Sequence, residues 1–423
     1  MLSDSRMLVK ISIMISILLA AAALQQASAQ VPAFFPSVKD PDLIVEEYIP
    51  HLQHPTSIAF VDDETLLILH KNDGTVRVAR NGILDSQPAL DVGVANEGEQ
   101  GMLGIAVKGS TVYLYFSESS SDGGEAISKR VYKYTWNGQE LVDPVLVKDL
   151  PATRSYHNGG AMAVAPDGTV YLVVGDTGRY GLLQNNAEGE LFPDTSVIMP
   201  VEPEGPYYAI GIRNSFGMAF DPVTGKMWIT ENGNDNYDEV NLVEPGFNSG
   251  WNQAMGPATD DQIARMVVDY GNYTYADPKF SWQRTVAPAG LTFIDSGPLS
   301  RYGDSLFVGD CNFGNIYRFE LNEERDGFVI KDARLADKVA NLEDSTAEIV
   351  FGERFGCVTD LDVGPDGLLY VTTYSPFTTS AIYRVVPKSD AGYNMQMLYV
   401  VAAVGAGIAG VIAYKRSRRK KSS

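Results

Sequence analysis

The sequence predicts an all-β protein built as a six-bladed propeller, and three observations support this fold class. Six stretches repeat one pattern of two short apolar strands separated by a turn, and in the three clearest copies this is a Pro/Gly turn. They recur at intervals of about 45 to 75 residues, which leaves room for about four strands per repeat. Helical periodicity is scarce outside the two ends of the chain. Because one such repeat cannot bury its apolar strands alone, a closed ring of stacked repeats is favoured.

The repeats differ in clarity. Three copies are clear and lie at Met162–Val174, Met218–Thr230 and Leu361–Thr373. Three weaker copies lie at Ser57–Leu69, Leu103–Phe116 and Leu291–Val308. The segment Leu43–Tyr48 is expected to pair with the last strands and close the ring. A pair of β-sandwiches is the alternative architecture for so many short strands.

The N-terminus has the pattern of a secretory signal peptide at residues 1–29. Arg6 and Lys10 precede an uncharged apolar stretch, Ile11–Leu24, and small residues follow at Ala27–Ala29. Cleavage is predicted after Ala29. An N-terminal membrane anchor is the alternative, although the apolar run is short for a membrane span.

The C-terminus predicts a transmembrane helix at residues 395–414. These twenty residues carry no charge and are long enough to cross about 30 Å of hydrocarbon. The tail, residues 415–423, contains six basic residues and is therefore expected on the cytoplasmic side. Together the two ends predict a single-pass protein of the cell membrane, whose propeller domain at residues 30–390 is extracytoplasmic.

The charge of the chain argues against nucleic-acid binding. Its formal net charge is −20, from 53 acidic and 33 basic residues, and both predicted targeting segments are net positive. The propeller domain is therefore more acidic than the whole chain. Such a surface repels nucleic acid and suits cation binding or a salty medium.

Polar clusters precede or follow the repeats, where loops at one mouth of a propeller are expected. His157 lies in the glycine-rich loop Tyr156–Gly160, and histidine is the usual general base near neutral pH. Arg213 is a fixed cation suited to polarising a carbonyl, although a surface ion pair is the alternative. The segment Glu231–Glu239 offers oxygen ligands of the kind that Ca²⁺ prefers, although a solvated acidic loop is equally compatible.

Taken in chain order, these clusters resemble the glucose/sorbosone dehydrogenase family, which includes the soluble sugar dehydrogenases that use pyrroloquinoline quinone (PQQ). The resemblance covers about residues 50–386. The matching strings are Gly101–Ala106, His157–Gly160 with Gly175–Gly178, Arg213–Asn214 with Gly217–Phe220, Asp238–Leu242 with Asn248–Trp251, and Ala287–Leu291.

The resemblance implies roles for residues at the pocket. His157 resembles the base that removes the proton of the sugar C1 hydroxyl while hydride passes to the quinone. Arg213 resembles the residue that polarises a quinone carbonyl, and Asn214 lies beside it. Either Glu99 or Gln100 matches a polar residue that lines the pocket, and Gln100 is the position assigned here to cofactor binding.

The resemblance also implies Ca²⁺. Gly233 and Asn234 match positions whose backbone carbonyls hold the calcium of the cofactor. Asp238 and Glu239 match a structural calcium site.

Two of the three cationic positions of the family depart from its pattern in this sequence. The family binds the carboxylates of PQQ with a lysine and two arginines, and these positions align with Asn312, Arg354 and Gly356. Asn312 and Arg354 are therefore expected to face the cofactor, with two of three cations lost. Cys311 and Cys357 lie beside the changed positions, and we predict that they form a disulfide.

The resemblance favours a PQQ- and Ca²⁺-dependent aldose dehydrogenase that oxidises a sugar substrate. Electrons would pass to an acceptor that the sequence does not identify and that the membrane tether would keep close. Two alternatives remain at this point. One is a non-catalytic propeller that binds a glycan or a protein at the same mouth. The other is a lactonase-type propeller hydrolase, which would need carboxylates at the starts of the repeats.

Overall fold

The computed structural model describes residues 35–152, 154–266, 272–375 and 380–389. The predicted leader at 1–29, the predicted membrane span at 395–414 and the basic tail at 415–423 lie outside these residues. Within the described ranges, no helix is both long and apolar enough to cross a membrane.

Strands make up almost all of the regular structure. In chain order they are β1 (Ser37–Val38), β2 (Leu43–Leu52), β3 (Pro55–Phe60), β4 (Thr65–His70), β5 (Thr75–Arg80), β6 (Ile83–Leu84), β7 (Leu90–Asp91), β8 (Met102–Lys108), β9 (Thr111–Glu118), β10 (Ser128–Trp136), β11 (Leu141–Pro151), β12 (Met162–Val164), β13 (Val170–Val174), β14 (Val197–Glu202), β15 (Ala209–Ile210), β16 (Met218–Phe220), β17 (Met227–Glu231), β18 (Asp238–Val243), β19 (Phe247–Asn248), β20 (Thr274–Tyr275), β21 (Phe280–Trp282), β22 (Pro288–Phe293), β23 (Ser305–Asp310), β24 (Ile316–Glu320), β25 (Val339–Ala340), β26 (Val350–Glu353), β27 (Cys357–Val363), β28 (Leu369–Tyr374) and β29 (Ser380–Pro387).

Helices are few and short in the described part of the chain. The α-helix α1 (Asp260–Arg265) begins after Thr259, whose side chain accepts a hydrogen bond from the backbone N–H of Gln262 and so caps the first turn. Three 3₁₀ turns lie at Leu182–Gln184, Gly297–Tyr302 and Ala333–Leu335.

The described strands form six sheets. In spatial order the sheets are β3-β4-β5-β6 with β7 on β5, β8-β9-β10-β11, β12-β13-β14-β15-β19-β20, β16-β17-β18-β21-β25, β22-β23-β24-β26-β1, and β27-β28-β29-β2. The first two strands of each sheet form an antiparallel hairpin, and each of these hairpins coincides with one of the six sequence repeats.

The first strands of the six sheets pack side by side in a closed ring. Going round the ring, β3 contacts β8, β8 contacts β12, β12 contacts β16, β16 contacts β22, β22 contacts β27, and β27 returns to β3. This arrangement confirms the predicted all-β propeller and excludes a pair of sandwiches.

The ring is closed by the start of the domain, as predicted. The N-terminal strand β2 pairs antiparallel with β29 near the C-terminal end of the propeller, from Leu43 opposite Pro387 to Leu52 opposite Ser380. Joining two distant parts of the chain in one sheet leaves no open seam in the ring.

The hydrophobic core lies between neighbouring sheets. Five clusters of buried apolar side chains fill the spaces between the six sheets, and the cluster that contains Leu369 extends over the fifth, sixth and first sheets. The largest fully buried side chains, Trp228 and Trp282, lie in the cluster between the fourth and fifth sheets. Because both faces of most sheets are covered, the strands read as nearly continuous apolar runs.

Candidate functional site

A cavity of about 750 Å³ opens at one mouth of the propeller. Every sheet contributes to its wall through the segment that leads into its first strand, and these segments contain His54, Gly98, His157, Arg213, Thr285 and Cys357. The cavity therefore forms where the polar clusters of the sequence were expected to meet. Its size is in the range of pockets that bind small organic ligands.

His157 lies on the cavity wall, and a buried carboxylate fixes the orientation of its ring. Its Nδ1 is 2.7 Å from Oδ1 of Asp176, and its side chain is 17 % exposed. Asp176 is fully buried and also accepts hydrogen bonds from the Gly178 N–H and, at 2.6 Å, from Nε1 of Trp251. When the neutral imidazole donates from Nδ1, the lone pair of Nε2 is left to accept a proton.

The backbone around this pair is unusually close. A Cβ on Gly175 would lie 2.5 Å from the carbonyl oxygen of His157 and 2.6 Å from that of Arg213. A glycine at this position therefore lets the two loops that carry His157 and Arg213 approach each other.

Arg213 is buried at the cavity and fixed on several sides. Its guanidinium donates to the carbonyl oxygen of Asn232 at 2.8 Å and to Oδ1 of Asn234 at 3.3 Å, and it lies 5.2 Å from the ring centre of Trp251. Its Nε is buried and has no protein partner. A buried donor without a partner is costly, so this N–H is available to a ligand.

Asn214 and Glu99 connect three loops of the site. The Asn214 amide donates to both oxygens of Glu99, at 3.1 and 3.2 Å, and its Oδ1 accepts from the Gly159 N–H. Glu99 also accepts from the N–H of Asn158, next to His157. The carboxylate of Glu99 thus joins the loops before the second, third and fourth sheets.

The assignment of Gln100 to the cofactor site requires a correction. Glu99 lines the cavity, whereas Gln100 is buried and does not line it. A tight turn, in which the Gln100 N–H donates to the carbonyl of Glu97, places the two consecutive side chains in different directions. The sequence could not distinguish these two positions because the turn determines which one faces the cavity.

The predicted calcium residues separate into two groups. Gly233, Asn234 and Asp238 line the cavity, whereas Glu239 does not. The backbone and amide oxygens of Gly233 and Asn234 are ligands of the type that Ca²⁺ prefers. The carboxylate of Asp238 is already hydrogen-bonded within the protein. Its oxygens accept from the N–H groups of Gly233, Val286 and Ala287 at 2.6 to 2.7 Å.

Glu239 faces away from Asp238, since consecutive residues of a strand point to opposite faces. It is buried beside Glu231, and its oxygens accept from the Gly256 N–H and the Asn241 amide. Burial raises the pKa of Glu239 well above its ordinary value, and the neighbouring carboxyl of Glu231 adds to this. Asp238 and Glu239 therefore do not converge on one ion, and the described residues contain no cluster of three or more His, Cys, Asp or Glu suited to a metal.

The predicted disulfide is confirmed and lies in the cavity wall. Cys311, directly after β23, is bonded to Cys357 at the start of β27, so that the bond joins the fifth and sixth sheets. Asn312 also lines the cavity, and its amide donates to the Thr285 carbonyl at 3.2 Å.

The assignment of Arg354 to the cofactor site also requires a correction. Arg354 is exposed, does not line the cavity, and donates from Nη2 to Oγ of Ser37. Ser37 belongs to β1, which pairs with β26 directly before Arg354. The sequence alignment could not anticipate a strand from the far end of the chain at this position.

Three further cavity residues were not identified from the sequence. Lys71 follows β4, Tyr374 ends β28, and His54 precedes β3. The rings of His54 and Tyr374 lie 5.3 Å apart. His54 fits the rule that polar residues precede a repeat, whereas Lys71 and Tyr374 lie at the ends of second strands and belong to none of the predicted polar clusters.

Comparison with known proteins assigns a family. Residues 52–378 match the sequence model of the family described as Glucose / Sorbosone dehydrogenase. The aldose sugar dehydrogenase YliI of Escherichia coli K12 is 23% identical over 368 residues, which cover 80% of this chain and 91% of that relative. Quinoprotein glucose dehydrogenase B of Acinetobacter calcoaceticus is 28% identical over 224 residues, which cover 43% and 45% of the two chains.

A solved structure supports the fold. The PQQ-bound aldose sugar dehydrogenase of Streptomyces coelicolor superposes with a TM-score of 0.61 at 22% identity, over 84% of this chain and 99% of that one.

Proposed function

Since the chain belongs to the glucose/sorbosone dehydrogenase family, we propose that it is an aldose dehydrogenase that oxidises the C1 hydroxyl of a sugar with PQQ and Ca²⁺. The observation that carries this proposal is the pair formed by His157 and Asp176, which lies in the same cavity as the fixed cation Arg213. A base and a cation on one pocket are what removal of a proton and hydride from an alcohol requires.

His157 accepts the proton of the C1 hydroxyl at Nε2. Asp176 holds the tautomer that leaves Nε2 free and stabilises the imidazolium that forms. Trp251 donates to the other oxygen of Asp176 and keeps that carboxylate oriented. These three side chains come from different loops, so the propeller scaffold sets their geometry.

Arg213 stabilises the negative charge that develops on the oxygen of the electron acceptor. PQQ, when bound, supplies the quinone that takes up the hydride from C1. The charge of Arg213 and its unpartnered Nε fit such an oxygen, and the cavity volume suits a planar cofactor with a sugar above it. We place Ca²⁺ at the carbonyls of Gly233 and Asn234, and not at Asp238 and Glu239.

The test uses the purified full chain. PQQ is added with saturating Ca²⁺, and the melting temperature and the reduction of an artificial dye are followed with a panel of aldoses. We expect PQQ to raise the melting temperature in a concentration-dependent way and the dye to be reduced. His157→Ala should keep the thermal shift and lose turnover. The proposal would be overturned if PQQ with saturating Ca²⁺ neither raised the melting temperature of the wild-type protein nor supported reduction of the dye.

We also propose that the propeller faces away from the cytoplasm and is tethered by residues 395–414. This rests on the uncharged apolar run and on the six basic residues that follow it. Protease treatment of spheroplasts with a sealed cytoplasmic membrane tests it: digestion of the propeller, with a short protected C-terminal fragment, is expected. Complete protection in sealed spheroplasts, followed by digestion after lysis, would contradict it.

A further inference from the structure

Lys71 is a cation in the cavity wall without a carboxylate partner. Its Nζ donates to Oδ1 of Asn72 at 3.2 Å and to the carbonyl oxygen of Asn96 at 3.3 Å, and no carboxylate among the described residues forms an ion pair with it. Neutral oxygens orient an ammonium group but do not neutralise it. In a chain with 53 acidic and 33 basic residues, an unpaired cation inside a cavity indicates an anionic ligand.

The position of Lys71 connects it to the catalytic loops. Its carbonyl accepts from the Met102 N–H, and a Cβ on Gly101 would lie 2.4 Å from that same oxygen. The turn that carries Glu99 therefore packs directly on Lys71. Through Glu99 this turn holds Asn158 and Asn214, so Lys71 is connected to the loop that carries the proposed base His157.

Glu99 does not satisfy Lys71. Its two oxygens are bonded to the Asn214 amide and to the Asn158 N–H. Burial lowers the pKa of Lys71, and the more distant charge of Glu99 opposes this only in part. An anionic ligand at Lys71 would favour its charged form.

The part of the cavity wall formed before and after the fifth and sixth sheets offers little for an anion. At the positions expected to hold the carboxylates of PQQ, Asn312 is a neutral amide bonded to Thr285, and Arg354 points out to Ser37. Lys71 and Arg213 are therefore the only lysine or arginine side chains among the described residues that line the cavity.

We propose that Lys71 is the carboxylate-binding residue of this cavity. The inference rests on the proposed dehydrogenase function and adds the ligand chemistry: a carboxylate carried either by the quinone cofactor or by an acidic sugar such as a uronic acid. The rings of His54 and Tyr374 line the same cavity with an angle of 30° between their planes, and aromatic rings of this kind suit a ring-bearing acid.

The test compares Lys71→Met with Lys108→Met in the full chain. Lys108 is exposed, bonds only to the Gly168 carbonyl among the described partners, and does not line the cavity, so its variant is a matched control for loss of one lysine charge. Equilibrium binding of PQQ with Ca²⁺, of D-glucuronate and of D-glucose is measured by calorimetry. Binding needs no turnover and is therefore read independently of the dehydrogenase activity.

We expect Lys71→Met to weaken binding of one carboxylate ligand by about 10- to 100-fold, the usual size of a charge-assisted hydrogen bond. Loss of PQQ affinity assigns the carboxylate to the cofactor, and loss of glucuronate affinity with unchanged PQQ assigns it to the substrate. Glucose binding should be unchanged. Lys71→Arg should retain most of the affinity. Lys71→Gln, which also removes the charge, replaces the methionine variant if that one does not fold.

The proposal is overturned if Lys71→Met and Lys108→Met bind PQQ with the same affinity, within about twofold, and also bind glucuronate with the same affinity. Failure of PQQ to bind the wild-type protein would count against the proposed function only. The affinity for glucuronate, compared with that for glucose, would still test the role of Lys71. If the wild-type protein binds neither PQQ nor glucuronate, both proposals fail.

Discussion

Asp176 Oδ1 lies 2.7 Å from His157 Nδ1, and this buried carboxylate is shared with the indole of Trp251. The arrangement explains why a histidine on a glycine-rich loop has a defined orientation. His157 has a positive φ of 54°, a backbone conformation that a loop residue keeps only when its surroundings fix it. The contact with Asp176 supplies part of that constraint and sets the tautomer at the same time.

Asp176→Asn tests whether Asp176 positions the base. We expect kcat with an aldose, PQQ and Ca²⁺ to fall about 10²- to 10⁴-fold, because an amide neither fixes the tautomer nor stabilises the imidazolium. The affinity for PQQ should be unchanged. Steady-state dye reduction and PQQ titration measure the two quantities separately.

Asp221→Asn is the matched control, since Asp221 is also buried but forms a bidentate ion pair with Arg325 outside the cavity. It should lower the melting temperature and leave kcat per folded molecule unchanged. A wild-type kcat in Asp176→Asn would show that the carboxylate has no part in turnover.

Gly175→Ala tests the close approach of the two catalytic loops. The added Cβ would meet the carbonyl oxygens of His157 and Arg213 at 2.5 and 2.6 Å, so both loops must shift. We expect a loss of about 1–3 kcal/mol in the free energy of unfolding and a fall in kcat. Denaturant unfolding and dye reduction provide the two readings.

Gly327→Ala is the control for this substitution, because its added Cβ would have only an ordinary contact, 3.6 Å from the Asn322 amide. Its stability and turnover should stay close to wild type. If Gly175→Ala behaves in the same way, the loops have more freedom than their contacts indicate.

The sequence was most informative about the inner part of each sheet. The first two strands carry apolar residues on both sides of a turn, which contains Pro or Gly in five of the six sheets, and this pattern located all six hairpins. Outer strands such as β7, β15 and β19 have only two residues each, which is too short for any periodicity. The addition of β1 to the edge of the fifth sheet depends on contacts between residues that are distant in the sequence, so no local sequence pattern indicates it.

The site was predicted mostly where the loops enter the first strands. Of the positions where the chain leaves a second strand, only Glu231–Glu239 and the matching string Gly175–Gly178 were singled out. In an antiparallel hairpin the first strand starts at the same mouth at which the second strand ends. Lys71 after β4, Asp176 after β13 and Tyr374 at the end of β28 therefore belong to the site as much as His157 does. A search of both ends of each hairpin would have found them.

Loss of the disulfide should destabilise the propeller. Cys311 and Cys357 are 46 residues apart, and closing a loop of that length lowers the entropy of the unfolded chain by the equivalent of about 4 kcal/mol. We expect Cys311→Ser combined with Cys357→Ser to unfold at lower denaturant concentration, as the wild-type protein should after reduction. Equal midpoints for oxidised protein, reduced protein and the double variant would show that the bond adds no stability.

Stability should also depend on two aspartates of the central channel. Asp360 and Asp362 both lie on β27, where side chains two apart share a face, and both line the channel between the first strands. Burial raises the pKa of Asp362 to about 7 and that of Asp360 well above its ordinary value. Between about pH 4 and pH 7 the folded state therefore holds protons that the unfolded state has released.

The free energy of unfolding should accordingly fall as pH rises through this window, by up to a few kcal/mol for each group. Asp362→Asn removes one of the two groups, so its unfolding free energy should decline less steeply from pH 5 to pH 8. Asp167→Asn is the control, because hydrogen bonds from Thr169 lower the pKa of this exposed aspartate and place its effect below about pH 4. Urea unfolding at pH 5 and pH 8 decides the matter: the same decline in Asp362→Asn and in the wild-type protein would mean that Asp362 is already ionised in the folded state at pH 5.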